Sequence, residues 1–467
     1  MDEADRGPAG NGAVLPPGPR SPAIVQVLNW LYRPVPMLAE WHRRYGDTFT
    51  LRFPAHPPYV LTSDPEAIRE IFRSDPDDVH SGDATRMMEP VLGPHSLILL
   101  DGAAHRRERR LMAPALHGER MRAYGETMRD ATIERLSRWP VGRRFPLRPE
   151  MQELTLEIIL RTVFGLADDD RHARIGQRIK ELLAFTSNPL ALILVDSHGR
   201  PRLHRLQRMF PRWSPVTRFA SIKRELDRLL YEEFEVRRER AAERSDVLSM
   251  LLEARYDDGR RMTYAALRDE LLTLLMAGHE TTATALCWVF YRLWRHDDVR
   301  ERVRDELARV AGDGPLAPDS VSSLSYLQAT IRETLRLHPI LPLVARGLTR
   351  PLNFAGLELP AGVIVAPDIY TVHRRPELWP DPERFDPERF LDDAPGRSLR
   401  YLPFGGGHRT CLGMAFAQYE MTVVMAQALR LLDYRVSDGY RPGIVRRSVT
   451  LAPAGGLPIE VVANAPA

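Results

Sequence analysis

A cysteine in a glycine-rich loop is the most reactive feature of this chain. The segment Phe404-Gly-Gly-Gly-His-Arg-Thr-Cys-Leu-Gly413 contains Cys411 and ends where a helix is predicted, from Met414 to Leu431. Backbone N–H groups of a tight loop and the positive end of a helix stabilise a thiolate and lower the pKa of its thiol. The glycines leave room for a flat ligand against the loop. The alternative, a cysteine buried as a small apolar residue, explains neither the glycines nor Arg409.

A second group of polar residues lies inside the longest predicted helix. This helix begins at Thr263, a residue type favoured at N-caps, and ends near Arg295. Its roughly 33 residues would extend for about 50 Å and cross a whole domain. Residues that it carries near its middle are therefore expected at the centre of the molecule.

The middle of this helix reads Ala277-Gly-His-Glu-Thr-Thr282. At 100° per residue, Ala277 and Thr281 share one face, with Gly278 close by, whereas His279 points away. A mid-helix glycine costs about 1 kcal/mol relative to alanine, which indicates a close approach to the backbone. The ordinary alternative for Thr281 is a hydroxyl bonded to the carbonyl four residues earlier.

A third pair of charged residues precedes Pro339. Glu333 and Arg336 are three residues apart, so they share a helix face. A bare pair of this kind is usually a surface ion pair that contributes little to stability.

Composition narrows the classes of protein. The 467 residues are 44% hydrophobic and 27% charged, with a net charge of +3, as expected for a globular protein with a large core. So small an excess of positive charge argues against a dedicated nucleic-acid binder.

The two cysteines, Cys287 and Cys411, cannot form a disulfide framework, which favours a reducing compartment. Residues Met1–Val14 are acidic and rich in Gly and Ala, and the apolar stretch Ala23–Tyr32 is short and interrupted by Gln26 and Asn29, so no secretion signal is expected. No run of about 20 apolar residues occurs, so no membrane span is expected. We predict a cytoplasmic protein.

The elements that position these residues are mainly helical. A hairpin is predicted over Thr48–Phe53 and Tyr59–Thr62, and short strands over Leu352–Ala366 and a final hairpin-like stretch over Ser448–Val462. Helical patterns fill the middle of the chain, including Asp101–Ala113, Met151–Phe164 and Ser221–Arg240. We therefore predict a tail over residues 1–14 and one large domain over 15–467, mainly α within the α+β class.

The cysteine loop resembles the haem-binding signature of the cytochrome P450 family. Phe404, Gly407, Arg409, Cys411 and Gly413 all match that signature. The resemblance implies a single domain with a long central helix and small peripheral sheets. It also implies that haem b is the cofactor, that Cys411 is the iron ligand and that Arg409 reaches a haem propionate.

The other motifs are similar to further features of the family. Glu280 and Thr281 match its acid–alcohol pair, with Glu where many bacterial members have Asp, and the resemblance implies that the threonine's intrahelical bond is loosened so that its hydroxyl helps to deliver protons. Ala277 and Gly278 would lie beside the cofactor. Glu333 and Arg336 would be buried and joined by an arginine of a Pro-Glu-Arg-Phe segment as a structural trio. Arg389 of Pro387–Phe390 is preferred to Arg384 of the near-duplicate Pro382–Phe385, because it has the family's position before the Cys411 loop.

Three more residues match the family's propionate-binding positions. His105 and Arg109 share a helix face at i, i+4, and Arg346 follows the helix that carries Glu333. The alternative for each arginine is a solvated surface position.

The resemblance implies a monooxygenase that uses dioxygen and inserts one oxygen atom into an apolar small molecule, by hydroxylation or epoxidation. Electrons would come from a separate ferredoxin and NAD(P)H-driven reductase. The Arg-rich helix that carries Arg106, Arg107 and Arg110 would dock an acidic redox partner, unless these arginines merely solvate the surface. We expect a monomer. The alternatives are a peroxygenase or isomerase on the same fold, which an intact Glu280–Thr281 pair disfavours, and a non-catalytic haem sensor or carrier.

The resemblance also indicates which segments border the substrate. They are mostly aliphatic, which suggests a fatty acid, a terpenoid or another lipophilic molecule. The segments are Met87–Leu92, Pro189–Val195, Leu275 with Met276, Ile340–Val344 and Leu451–Gly456.

Overall fold

The computed structural model describes residues 15–464, apart from 55, 119, 167–169, 187–214, 240–243, 313–315, 392–398, 438 and 448. Within these ranges the chain folds into sixteen α-helices, with short 3-10 turns between some of them. The α-helices are α1 (Ala23–Tyr32), α2 (Pro34–Tyr45), α3 (Pro65–Arg73), α4 (Gly82–Thr85), α5 (Glu89–Leu92), α6 (Gly102–Met112), α7 (Arg120–Leu136), α8 (Leu147–Thr162), α9 (Asp170–Thr186), α10 (Pro215–Arg238), α11 (Val247–Glu253), α12 (Tyr264–Arg295), α13 (Asp297–Ala311), α14 (Ser325–Leu337), α15 (Ile369–Val372) and α16 (Met414–Leu431).

The strands are short. They are β1 (Thr48–Leu51), β2 (Tyr59–Thr62), β3 (Val79–His80), β4 (Arg144–Pro146), β5 (Arg346–Leu348), β6 (Leu352–Phe354), β7 (Leu357–Leu359), β8 (Ile364–Pro367), β9 (Leu432–Val436), β10 (Ile444–Arg447), β11 (Thr450–Pro453) and β12 (Pro458–Asn464). A five-stranded sheet has the order β1-β2-β8-β5-β3, and a three-stranded sheet has the order β4-β12-β9. β6 with β7 and β10 with β11 form separate hairpins.

The first hairpin is confirmed, because β1 pairs antiparallel with β2 and Thr48 lies opposite Thr62. The prediction of a final hairpin over Ser448–Val462 is wrong. Its two halves separate: β11 pairs with β10, whereas β12 pairs with β4 and β9. The intervening 3-10 turn, Ala454–Gly456, lets the chain change sheets, since Gly455 and Gly456 adopt positive φ angles of 70° and 75°.

The central helix α12 forms the axis of the largest hydrophobic core. It begins after Thr263, whose hydroxyl oxygen accepts a hydrogen bond from the N–H of Ala266, as expected for an N-cap. It packs along α8 and also contacts α14 and α16. Because apolar residues occur all round the helix, it is stable only when buried on most sides. This burial places its middle, residues 277–282, inside the molecule.

Candidate functional site

The Cys411 loop is closed by its own backbone. The N–H of Cys411 donates to the carbonyl of Phe404 at 2.9 Å, and the N–H of Thr410 donates to Gly407 at 3.1 Å. Gly407 has a φ of 67°, and a Cβ there would overlap the carbonyl oxygen of Phe72. A glycine is thus required at position 407, both because of the positive φ angle and because the loop lies against α3. A Cβ at Gly413, by contrast, would meet open space, as expected where a ligand is to lie.

Cys411 lies in surroundings that act on its thiol in opposite directions. It is exposed to solvent, yet burial raises the pKa of its thiol. The Gly413 N–H and the positive charge of Arg109 act in the opposite direction and lower this pKa. Both groups therefore favour the thiolate.

The predicted propionate-binding residues come together on one side of this loop. His105 on α6 is 2% exposed, and Arg346 at the start of β5 is 4% exposed. Burial, together with the positive charges of Arg409, Arg109 and Arg346, lowers the pKa of His105 to about 3. Burial and the charge of Arg409, opposed by Asp101, lower the pKa of Arg346 to about 10. His105 and Arg109 of α6, Arg346 and Arg409 thus form one cationic cluster, in which His105 and Arg346 are buried and Arg109 and Arg409 are half-buried.

Arg409 has protein partners. Its guanidinium donates to the carbonyl of Leu97 at 3.0 Å, to that of Leu100, and to the carboxylate of Asp101. Asp101 also accepts hydrogen bonds from the N–H groups of Ser81 and Gly82. Asp101 was missed in the sequence, where it marks only the start of a helix. Its role becomes visible once the fold brings residues 101 and 409 together.

The cluster fits the carboxylates of a haem. Among the described residues, Asp101 is the only carboxylate that pairs with these arginines, and neither Arg109 nor Arg346 has one within 4.0 Å. His105 Nδ1 is buried and finds no hydrogen-bond partner within the described parts of the chain. Buried arginines and an unpaired buried imidazole nitrogen are costly unless an anion satisfies them. The two propionates of haem b would supply that charge, so the residues present suit the cofactor.

The central helix has a gap in its packing near Thr281. Ala277 is exposed although the turns on either side are buried, and Thr281 is half-buried. The Thr281 hydroxyl donates to the Ala277 carbonyl at 2.5 Å. The family resemblance implied that this intrahelical hydrogen bond is loosened, but the structure has it formed. Thr281 must therefore break the bond to Ala277 before its hydroxyl can donate elsewhere.

Gly278 is explained by helix packing. A Cβ at this position would lie 3.1 Å from Cδ1 of Ile159 on α8. The close approach that the mid-helix glycine indicated is thus that of a neighbouring helix. Contact of Gly278 with the cofactor stays a prediction.

His279 points away from Thr281, as predicted. It is 7% exposed, and the hydroxyl of Thr155 on α8 donates to its backbone carbonyl at 3.0 Å. Burial lowers the pKa of the His279 imidazole, although a hydrogen bond to the Gln152 backbone and the charge of Glu280 act against this. His279 is therefore a neutral packing residue between α12 and α8.

Glu280 also faces α8. Arg148 forms an ion pair with Oε1 of Glu280, and Nε2 of Gln152 donates to its Oε2 at 2.6 Å. Arg148 and Glu280 are 20% and 21% exposed, so the pair lies at the edge of the core. The carboxylate is next to Thr281 in sequence but is anchored to another helix. No short-range signal links positions 148 and 280, and sequence analysis missed this partner.

The buried trio around Glu333 is confirmed. Nε of Arg336 donates to Glu333 at 2.7 Å, and neither side chain is exposed. Arg389 lies 3.6 Å from the same carboxylate. The near-duplicate Arg384 is 69% exposed and 3.9 Å from Asp386. Arg336 also donates to the carbonyls of residues 373, 382 and 384, which ties α14 to the segment before the Cys411 loop.

The arginines on the outer side of α6 are exposed but have local partners. Arg106 lies 3.4 Å from Asp77, and Arg110 lies 2.7 Å from Asp257. The Arg107 guanidinium stacks 4.0 Å from the ring centre of Tyr256. Their charge is therefore partly compensated at the surface.

The predicted substrate segments are only partly described. Pro189–Val195 lies outside the described residues. Met87 is 53% exposed, whereas Leu275 is fully buried in the core. Leu451 of β11 is joined to Ile340 by a backbone hydrogen bond of 2.9 Å, so two of the segments are adjacent.

Known proteins resemble this chain over nearly its whole length. The sequence profile of the family described as "Cytochrome P450" matches residues 16–456. The chain is 40% identical to cytochrome P450 135B1 of Mycobacterium tuberculosis over 457 residues, 96% of this chain and 92% of that protein. It is 34% identical to cytochrome P450 135A1 of the same species, over 96% of this chain and 95% of that protein.

A solved structure shares the fold. The retinoic acid-bound cyanobacterial CYP120A1 superposes with a TM-score of 0.81 and 24% identity, over 97% of this chain and 100% of that one. An identity this low speaks to the fold alone. The family profile and the mycobacterial relatives show more than the fold, and they agree with the cysteine loop, the cationic cluster and the buried Glu333–Arg336 pair. The chain therefore belongs to the cytochrome P450 family, whose members are haem-binding monooxygenases.

Proposed function

We propose that this protein is a haem-thiolate monooxygenase in which Cys411 is the iron ligand and separate redox proteins supply the electrons. The observation that carries the proposal is the arrangement around Cys411. Its exposed thiol lies just before α16, and the Gly413 N–H and the Arg109 charge favour the thiolate against the rise in pKa that burial causes. A haem iron with a cysteine thiolate ligand supplies the chemistry of dioxygen activation and O–O cleavage.

Four residues would hold the propionates. His105 and Arg346, both buried, form a cluster with the half-buried Arg109 and Arg409 and one compensating carboxylate, Asp101. Because His105 Nδ1 and the Arg346 guanidinium lack anionic partners among the described residues, they are available to a carboxylate. Phe404 and Gly407 would shape the loop, while Gly413 and Ala277 would leave space for the ring.

Thr281 and Glu280 would move protons. The Thr281 hydroxyl now donates to the Ala277 carbonyl, and turning it towards the gap beside Ala277 would offer its proton there. Glu280 is held by Arg148 and Gln152 near the edge of the core. Releasing its carboxylate from Arg148 would let it carry protons from solvent to Thr281. Both steps are side-chain rotations, and neither requires the helix to unfold.

The substrate we propose is an apolar small molecule, such as a fatty acid or terpenoid, that is hydroxylated or epoxidised. The aliphatic segments Ile340–Val344 and Leu451–Gly456 support this, because apolar walls bind apolar ligands. For the electron donors we propose a ferredoxin and its reductase in the cytoplasm. Among the described helices, none is both long and apolar enough to cross a membrane.

One experiment separates this proposal from its alternatives. Purified holoprotein is incubated with a panel of fatty acids and terpenes, ferredoxin, ferredoxin reductase and NAD(P)H under ¹⁸O₂. Product that carries one ¹⁸O atom, formed in proportion to the NAD(P)H consumed, supports the monooxygenase. Product formed only with added peroxide would identify a peroxygenase instead, and haem binding without product from any substrate would favour a sensor.

A further inference from the structure

A second cleft lies at the far end of the central helix. It has a volume of about 450 Å³ and is lined by Trp288, Tyr291, Arg292, Arg295, His296, His338, Pro442 and Ile444. Arg292 is eleven residues beyond Thr281 on α12, roughly 16 Å along the helix axis. This cleft is therefore separate from the space beside Ala277. Its volume lies within the usual range for small-molecule sites.

The cleft contains positive charge without matching negative charge. Among the described residues, neither Arg292 nor Arg295 has a carboxylate within 4.0 Å, the distance at which the other ion pairs form. Glu333 and Glu383, whose charges act on Arg292, are already paired with Arg336 and Arg374.

Arg292 is held in a fixed orientation. Its Nε donates to Nε2 of His338 at 2.9 Å, and its guanidinium carbon lies 5.5 Å from the ring centre of Phe385. The His338 ring in turn stacks on Trp288, with ring centres 3.8 Å apart and planes within 4°. The indole N–H of Trp288 donates to the Leu451 carbonyl at 3.0 Å. Because Nε is occupied, the two Nη groups of Arg292 are left to bind a ligand.

The same arginines have a simpler explanation. Both lie in the last turn of α12, where positive charge stabilises the helix C-terminus. That role needs no fixed orientation and no cleft. It also leaves unexplained why Arg292 is half-buried beside the cleft, where burial lowers the pKa of its guanidinium. An anion in the cleft would offset this cost.

We propose that this cleft binds a small organic anion, with Arg292 and Arg295 contacting its carboxylate or phosphate group. Two Nη groups of one guanidinium match two oxygens of such a group. Tyr291, Pro442 and Ile444 supply an apolar wall for the rest of the molecule. The proposal concerns ligand binding alone and does not depend on the reaction that the haem site carries out.

The test is calorimetric titration of the holoprotein with phenyl phosphate and, in parallel, phenylacetate. We expect one molecule of at least one of these anions to bind per chain, with no change in the Soret band, and no binding of neutral benzyl alcohol. Arg292→Gln should weaken binding at least tenfold and Arg295→Gln several-fold. The matched control is Arg309→Gln, since Arg309 is exposed on α13 and donates to a backbone carbonyl; it should bind as the wild type does.

Haem content and the carbon monoxide spectrum establish that each variant is folded. Should Arg292→Gln fail to fold, Ile444→Asp places a carboxylate in the cleft and should also weaken binding at least tenfold. The proposal is overturned if neither anion binds saturably. It is equally overturned if binding shifts the Soret band, or if folded Arg292→Gln or Ile444→Asp binds as tightly as the wild type.

Discussion

The carboxylate of Glu280 on α12 forms an ion pair with Arg148 on α8, although the two residues are 132 positions apart in the chain. Gln152, one turn further along α8, donates to the second carboxylate oxygen. The carboxylate next to Thr281 in sequence is thus held by two residues of a neighbouring helix. For Glu280 to deliver protons, this pair must open.

Substitutions of Glu280 and Arg148 should therefore have opposite effects on the rate of product formation. Glu280→Gln keeps the size of the side chain but removes its charge and its titratable proton, so product formation should slow and its solvent isotope effect should increase. Arg148→Gln frees the carboxylate and should retain or raise the rate. Since the pair is partly exposed, either change should cost less than about 1 kcal/mol of stability. Equal losses of activity in both variants, measured as product per minute at equal haem content, would indicate a purely structural pair.

Replacing Thr281 tests whether its hydroxyl group delivers protons. Thr281→Ala leaves the apolar surroundings in place, so haem content and substrate affinity should change little. More of the consumed NAD(P)H should appear as peroxide, because protons are delivered less accurately. Thr282→Ala is the matched control, since residue 282 is turned by about 100° on the helix and is 3% exposed. Unchanged product yield per NAD(P)H in Thr281→Ala would show that this threonine only bonds within the helix.

The Glu333–Arg336 pair should matter far more for stability. Glu333→Gln leaves a fully buried guanidinium without its carboxylate, and we expect a loss of about 3–5 kcal/mol and little soluble holoprotein. Glu301→Gln is a matched control, because Glu301 and Arg304 form a pair with the same spacing at 3.5 Å but are 60% and 30% exposed. That variant should lose less than about 1 kcal/mol. Similar yields and unfolding free energies for the two variants would contradict the structural role.

The buried Glu270 predicts that the free energy of unfolding depends on pH. This residue of α12 is fully buried, and burial raises the pKa of its carboxyl group from 4.5 to about 9. The folded protein thus keeps a proton that the unfolded chain releases above pH 4.5. Stability from the neutral acid is lost progressively as the pH rises from 4.5 through about 9. Between pH 6 and pH 9 the free energy of unfolding should fall less in Glu270→Gln than in the wild type. Parallel curves would show that Glu270 is ionised in the folded protein.

Sequence patterns were sufficient where the determining interactions are local. The N-cap at Thr263, the bounds of α16 and the hairpin of β1 with β2 follow from neighbouring residues, and the structure has all three. The family signature also favoured Arg389 over Arg384, which agrees with the ion pair to Glu333.

Interactions between distant segments were not predictable in this way. Asp101 and Arg409 are 308 positions apart, and only the folded chain shows that they pair. Gly278 looked like space for a ligand, but Ile159 of α8 fills that position. The last strand was assigned to the wrong partner, because an alternating pattern predicts a strand but does not identify the strand it pairs with.

The measurement that tests the account most directly is the spectrum of the reduced carbon monoxide complex. With Cys411 as thiolate ligand, the wild type should show the red-shifted Soret band for which the family is named. Cys287→Ala should retain this band, since Cys287 is fully buried in the core and its pKa is raised to about 12 by burial. Cys411→His should bind haem yet lose the band. A red-shifted band that persists in Cys411→His would contradict the assignment of Cys411 as the ligand.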